Sequence, residues 1–140
     1  MKRKVQISLR GRQKTGDKPE EYELVTDGEL EEKDGTVSVG YMESEITGLE
    51  GVKTVFEIQK NGCIVLSRTG AINAQLVFEE GRKHCTMYET PYGAISIGVT
   101  ALEAAAEKTD GEMNISINYI VDVDSSEISR NIFKINVREV

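Results

Sequence analysis

Glu112-Met113-Asn114-Ile115-Ser116-Ile117-Asn118-Tyr119-Ile120-Val121-Asp122-Val123 is the stretch whose reading decides the fold. Met113, Ile115, Ile117, Tyr119, Val121 and Val123 fall on every second position, opposed by Asn114, Ser116, Asn118 and Asp122. Successive side chains of a strand point to opposite faces, so this alternation predicts a strand with one dry and one wet side. Asp124-Ser125-Ser126 then turns the chain into a second such run, Ile128 to Val140.

The same rhythm extends back towards the N-terminus in about ten extended runs separated by turn residues. Val5, Ile7 and Leu9 share one face of the first run, and Lys4, Arg10 and Arg12 the other. After a polar loop from Lys14 to Pro19, Tyr22, Leu24 and Thr26 alternate up to the acidic stretch Glu29 to Asp34, closed by Asp34-Gly35. Val37 to Thr47 and Val52 to Lys60 follow, separated by Gly48-Leu49-Glu50-Gly51. Asn61-Gly62 predicts a tight type I′ hairpin into Cys63–Thr69, because both central residues of that turn need positive φ. Ile72, Ala74, Leu76 and Phe78 set the next dry face, closed by Glu80-Gly81 and followed by His84 to Thr90. Thr90-Pro91-Tyr92-Gly93 is a turn that leads into Ile95, Ile97 and Val99. Leu102 to Lys108 has helical propensity, yet Leu102, Ala104 and Ala106 alternate with Glu103, Ala105 and Glu107 between strands on both sides. An extended or bulged edge is expected there.

A chain of 140 residues fits one domain, residues 1–140, with a core that needs no staples. A net charge of −7 argues against nucleic acid and anionic membrane surfaces as partners, since both are bound mainly through Lys and Arg. The basic N-terminus lacks the apolar run of a signal peptide, and no segment reaches membrane-spanning length, which predicts a cytoplasmic protein. Cys63 and Cys85 are then expected as free thiols.

Many antiparallel strands joined by short connections favour an all-β, up-and-down barrel of about eight to ten strands, because closure removes exposed edges. Gly40-Tyr41-Met42-Glu43-Ser44-Glu45-Ile46-Thr47-Gly48-Leu49-Glu50-Gly51-Val52-Lys53-Thr54 resembles the signature stretch of the YwiB-like family of uncharacterised bacterial proteins. Arg68-Thr69-Gly70, Val77-Phe78-Glu79-Glu80-Gly81 and Tyr88-Glu89-Thr90-Pro91-Tyr92-Gly93 follow in that family's order. The resemblance implies a calycin-type, lipocalin-like antiparallel barrel and brings no established activity with it.

Catalytic vocabulary is sparse. His84 and Cys85 are adjacent, and adjacent strand residues face opposite ways, so they cannot form a nucleophile–base dyad. Neither a zinc motif nor a phosphate loop nor a dinucleotide fingerprint occurs, so no catalytic residue, metal or cofactor is expected. Glu43 and Glu45 read as two carboxylates on one strand face with Val37, Val39 and Tyr41, and Arg68 follows Ile64 and Leu66 on the apolar parity of its own strand. A buried carboxylate needs a partner, and the Arg68 fork is the expected one. Tyr88 and Thr90 share a face nearby. Two readings stand. Tyr41, Glu43, Glu45, Arg68, Tyr88 and Thr90 orient a small, partly apolar ligand at the mouth of a non-catalytic barrel, or the cluster is an internal ion pair that fixes strand register inside a filled barrel used for protein interaction. Lys4, Arg10, Arg12 and Lys14 form a basic stripe that either contacts an acidic partner or RNA, or solubilises an edge strand.

Overall fold

The computed structural model describes residues 2–47 and 49–140. Ten strands follow one another: β1 (Lys2–Thr15), β2 (Lys18–Lys33), β3 (Thr36–Met42), β4 (Lys53–Ile58), β5 (Ile64–Thr69), β6 (Ala74–Phe78), β7 (Lys83–Thr90), β8 (Gly93–Thr109), β9 (Glu112–Val123) and β10 (Ser126–Glu139). A single 3-10 turn, η1 (Glu45–Thr47), lies between β3 and β4. All pairings are antiparallel and join sequence neighbours, except that β10 returns to β1. The meander therefore nearly closes on itself. Its seam is between β6 and β7, where Asn73 and Glu89 exchange two backbone hydrogen bonds of 2.9 Å outside the strand ladders.

Hairpin chemistry explains the connections. Asp34 and Gly35 have φ of 53° and 80°, and Asp124 and Ser125 have 52° and 66°, so both two-residue loops have the left-handed pair that a type I′ turn needs. The loop at Asn61-Gly62 is a hairpin of another kind. Only Gly62 has positive φ, Gly62 N–H donates to the Gln59 carbonyl at 3.0 Å, and the Asn61 side chain accepts from Cys63 N–H at 2.9 Å. A turn of ordinary handedness followed by a left-handed glycine does the work expected of a type I′ pair.

Register stacks the core in layers. Val37, Ile58, Ile64 and Phe78 lie across β3 to β6, then Val39, Phe56, Leu66 and Leu76, then Tyr41, Thr54, Arg68 and Ala74. Polarity thus rises towards one end of the barrel. On the opposite wall Leu9, Ile135 and Ile115 face Ala106, and Gln13, Asn131 and Tyr119 face Ala101 one end further on. Phe56, Phe78, Ile7, Ile64, Leu66, Ile115 and Ile117 are fully buried in the middle layers. Each such side chain stabilises the fold by about 1.5–3 kcal/mol through burial. Phe56 and Phe133 meet edge to face at 6.1 Å, which ties the two walls together.

The other end is capped by charge. Arg3 binds Glu139 and, at 2.8 Å, Glu32, which also takes Lys108 at 2.6 Å. These two cations hold the Glu32 carboxyl below its usual range, the Lys108 hydrogen bond contributing most. The space at that end, among Val5, Leu30, Met113 and Val137, is only about 30 Å³.

Two expectations change, and the one for Leu102 to Lys108 holds. The run Val37 to Thr47 is not one strand: β3 stops at Met42, so Glu43 and Glu45 do not share a strand face. The two arginines of the basic stripe are engaged within the molecule, Arg10 on Glu23 at 3.1 Å and Arg12 on Glu21 at 3.2 Å, both on β2. Strand β1 is also no edge, being paired on both sides. Leu102 to Lys108 is extended, with a register shift between Ala101 and Glu103; beyond it β8 pairs with β9 alone, and Ala104 N–H donates instead to Glu80 Oε1 at 3.1 Å. No helix among the described residues is long and apolar enough to cross a membrane.

Candidate functional site

The polar layer lies beside a cleft of about 780 Å³ at the open end. Strand β2 pairs with β3 only from Glu29 onward, so its first half has no partner on that side. The separation leaves room between the β1–β2 hairpin, η1 and the ends of β5, β7, β9 and β10. Leu76, Ile97, Val121 and Phe133 supply apolar lining, while Ile46, Ile95 and Ile128 are exposed hydrophobic residues at the rim. Ser129 and Asn131 are buried there and satisfy each other, Asn131 Nδ2 donating to Ser129 Oγ at 3.0 Å. The chain holds five tyrosines and three phenylalanines, and Tyr22, Tyr88, Tyr119 and Phe133 all line this one cleft.

Arg68 is the charged group in its wall. Cross-strand pairing sets it beside Thr54, which sits beside Tyr41. Its Nε is shut off from solvent and has no hydrogen-bond partner among the described residues. Burial works against the guanidinium charge, but Tyr119, Tyr88, Glu43 and Tyr41 together outweigh it and raise the Arg68 pKa. The same burial raises Tyr119, Tyr41 and Tyr22, against the opposing pull of Arg68. All three phenols therefore stay protonated and remain donors at neutral pH.

Glu43 is 6 % exposed, just beyond β3, and Thr54 Oγ1 donates to its Oε2 at 2.6 Å. Tyr41 lies close enough to the carboxylate for the Glu43 charge to raise its pKa further. The expected Arg68 fork on Glu43 is not formed: Glu43 acts on Arg68 through charge, and Arg68 takes part in no ion pair among the described residues. The Thr54 hydroxyl, from the strand next to β3, holds the carboxylate. Glu45 is exposed at the start of η1 and lines the rim. Tyr88 faces the cleft, whereas Thr90 is consumed by its turn, donating to the Gly93 carbonyl at 3.0 Å and accepting from Tyr92 N–H at 3.1 Å. Of the six sequence candidates, Arg68, Tyr88 and Glu45 line the cleft, Tyr41 and Glu43 stand behind it, and Thr90 has a local role.

Two contributors had a signal in the sequence. Thr54 stands between Val52 and Phe56 on the inward parity of its run, where a hydroxyl must find a partner. Gly11 interrupts the inward series Val5, Ile7 and Leu9, and an isolated glycine in a strand marks close approach of another group. A Cβ there would lie 2.3 Å from Tyr22 Cζ, so Gly11 is the seat on which the Tyr22 ring rests at the cleft.

A family model for a domain of unknown function, DUF1934, matches residues 7–135. The chain belongs to that family. The crystal structure of the YwiB protein from Bacillus subtilis is similar to it with a TM-score of 0.86 at 19 % identity, over 99 % of this chain and 93 % of that one. That likeness shows the barrel fold. No curated protein matches the chain. The resemblance seen in the sequence is thereby established at the level of family and fold.

His84 and Cys85 face apart as strand geometry requires: His84 Nε2 is 3.1 Å from Glu79 Oε1, and the Cys85 side chain is exposed. No group of three His, Cys, Asp or Glu side chains suited to a metal occurs among the described residues. Both cysteines are free thiols. Burial, with help from Glu79, pushes the Cys63 thiol up, so at mildly alkaline pH its thiolate fraction lies below that of an ordinary thiol. Alkylation followed by intact-mass and peptide mapping is expected to label exposed Cys85 first and Cys63 several-fold more slowly. Equal rates would contradict the burial of Cys63.

Proposed function

We propose that this protein binds a small, partly apolar molecule in the open end of the barrel, without chemical transformation of it. The observation that carries this is Arg68: a half-buried guanidinium in the wall of a cleft of about 780 Å³ that makes no side-chain hydrogen bond among the described residues, its Nε shut off from solvent. A partly buried donor without an acceptor costs about 1–3 kcal/mol, and a ligand acceptor at the terminal guanidinium nitrogens, which are not shut off as Nε is, offsets that cost. Cleft size and apolar lining suit a small molecule, with Arg68 and the tyrosine hydroxyls fixing its orientation. Neither a nucleophile–base pair nor a metal cluster among the described residues supports a reaction in the cleft.

Native mass spectrometry of freshly purified protein, followed by a thermal-shift screen, tests the reading. A bound molecule is expected, and Arg68→Lys is expected to keep the melting temperature within a few degrees yet weaken binding about tenfold or more. A point ammonium does not reproduce the planar fork, and one charge-assisted hydrogen bond is worth about 1.5–3 kcal/mol. Unchanged affinity in Arg68→Lys would remove Arg68 as the anchor. The alternative, an interaction module with a filled barrel, draws on the solid packing around Phe56, Phe78, Ile64 and Leu66. Such a module would work through its exposed strands or the Gly48–Gly51 loop, of which Gly48 lies outside the described residues.

A further inference from the structure

Charge in and around the cleft limits what it accepts. Arg68 lacks a hydrogen-bond acceptor among the described residues, but it does not lack a counter-charge, because Glu43, just beyond the end of β3 and two strands away from β5, lies within electrostatic reach. Thr54 Oγ1 at 2.6 Å holds that carboxylate in place, so Glu43 supplies charge and not a hydrogen bond to Arg68. A neutral acceptor bonded to the terminal guanidinium nitrogens, which are not shut off as Nε is, leaves the charge balance as it is. A ligand carboxylate would instead introduce a second negative charge beside Glu43 where screening is weak, and like charges that share a site disfavour ionisation.

The approach to the cleft works in the same direction. Glu20, Glu21 and Glu45 line its rim, Glu21 being paired with Arg12, and the whole chain has a formal charge of −7. Such a field lowers the local concentration of anions. A cationic head group would meet the Arg68 charge inside. For the body of the ligand, the rings of Tyr119 and Phe133 lie 5.9 Å apart, and Tyr22 faces the same space from its seat on Gly11. Flat apolar groups gain most from aromatic walls of this kind.

We propose that the ligand is uncharged, with a flat, largely apolar body and a carbonyl-type acceptor that meets the Arg68 guanidinium. This rests on the binding reading above and adds the charge and head-group class to it. Naphthalene carboxamide and naphthalene carboxylate differ mainly in head-group charge. Both are titrated calorimetrically into the wild-type protein at neutral pH and low salt, and into Arg68→Lys and Glu43→Gln. The carboxamide is expected to bind the wild type at least about tenfold more tightly than the carboxylate, a difference of about 1.4 kcal/mol. Arg68→Lys should weaken the carboxamide, and Glu43→Gln should narrow the gap by improving the carboxylate. The wild-type comparison decides the matter even where a variant folds poorly. Equal or tighter binding of the carboxylate would overturn the uncharged class and leave the cleft as a binding site. Binding of neither probe at millimolar concentration would count against both.

Discussion

Thr54→Val is expected to lower the unfolding free energy by about 2 kcal/mol, measured by urea denaturation monitored by circular dichroism. Valine nearly matches threonine in shape, so the packing of this fully buried side chain, 0 % exposed, is retained. The loss is the hydroxyl that donates to Glu43 at 2.6 Å. A hydrogen bond to a charged group contributes about 1.5–3 kcal/mol, and this carboxylate is buried. Thr54→Ser keeps the donor and should recover the larger part of the stability. In a double-mutant cycle with Glu43→Gln, the effects of Thr54→Val and of the glutamine should be less than additive, with a coupling of about 1–2 kcal/mol. Strict additivity would mean that the two side chains do not share this bond in solution. The same cycle run between Arg68→Met and Glu43→Gln is expected to give the smaller coupling, because that interaction acts through charge alone.

Gly28→Ala is expected to be as damaging or more so, costing about 3 kcal/mol at the upper end of the range for overpacking a tight interior. A Cβ on Gly28 would lie 2.4 Å from Ile7 Cδ1 and 2.6 Å from the Gly40 carbonyl oxygen. Ile7 is fully buried and cannot swing away, and the Gly40 carbonyl belongs to the backbone of β3. The position matters because β2 parts from β3 here: Glu29 pairs with Gly40, and the residues before Gly28 pair with β1 alone. Close approach at Gly28 is what lets the sheet divide and the cleft open. Trimming Ile7 to valine removes one of the two clashes, so Gly28→Ala with Ile7→Val should recover only part of the loss. A Gly28→Ala protein as stable as the wild type would show that the strands have room to separate at this point.

Strand content, the number of strands, most turns and the barrel were legible in the chain because their causes are local. Alternation such as Met113, Ile115, Ile117 and Tyr119 assigns one face to the core whatever the neighbours are. Asp34-Gly35 has the conformational freedom its turn needs within two residues. Arg68 on the apolar parity of its run was legible for the same reason, and the structure sets it beside Thr54 and in the cleft wall. The identity of the Glu43 partner was not. Parity says that a side chain points inward, but only register across β3, β4 and β5 says which inward groups meet, and that depends on how the chain leaves β3 after Met42. Had β3 continued, Glu43 and Glu45 would have shared a face; the turn into η1 buries one and exposes the other. The cleft is likewise a tertiary product, since β1 and β2 run on past the point where β3 stops following them and four distant aromatic residues converge there. Sequence by itself determined the alternating strands and the inward Arg68, because those follow from the period of the backbone. Tertiary structure decided which hydroxyl holds Glu43 and which donor of Arg68 is left without an acceptor, because those depend on distances between strands that no local pattern encodes.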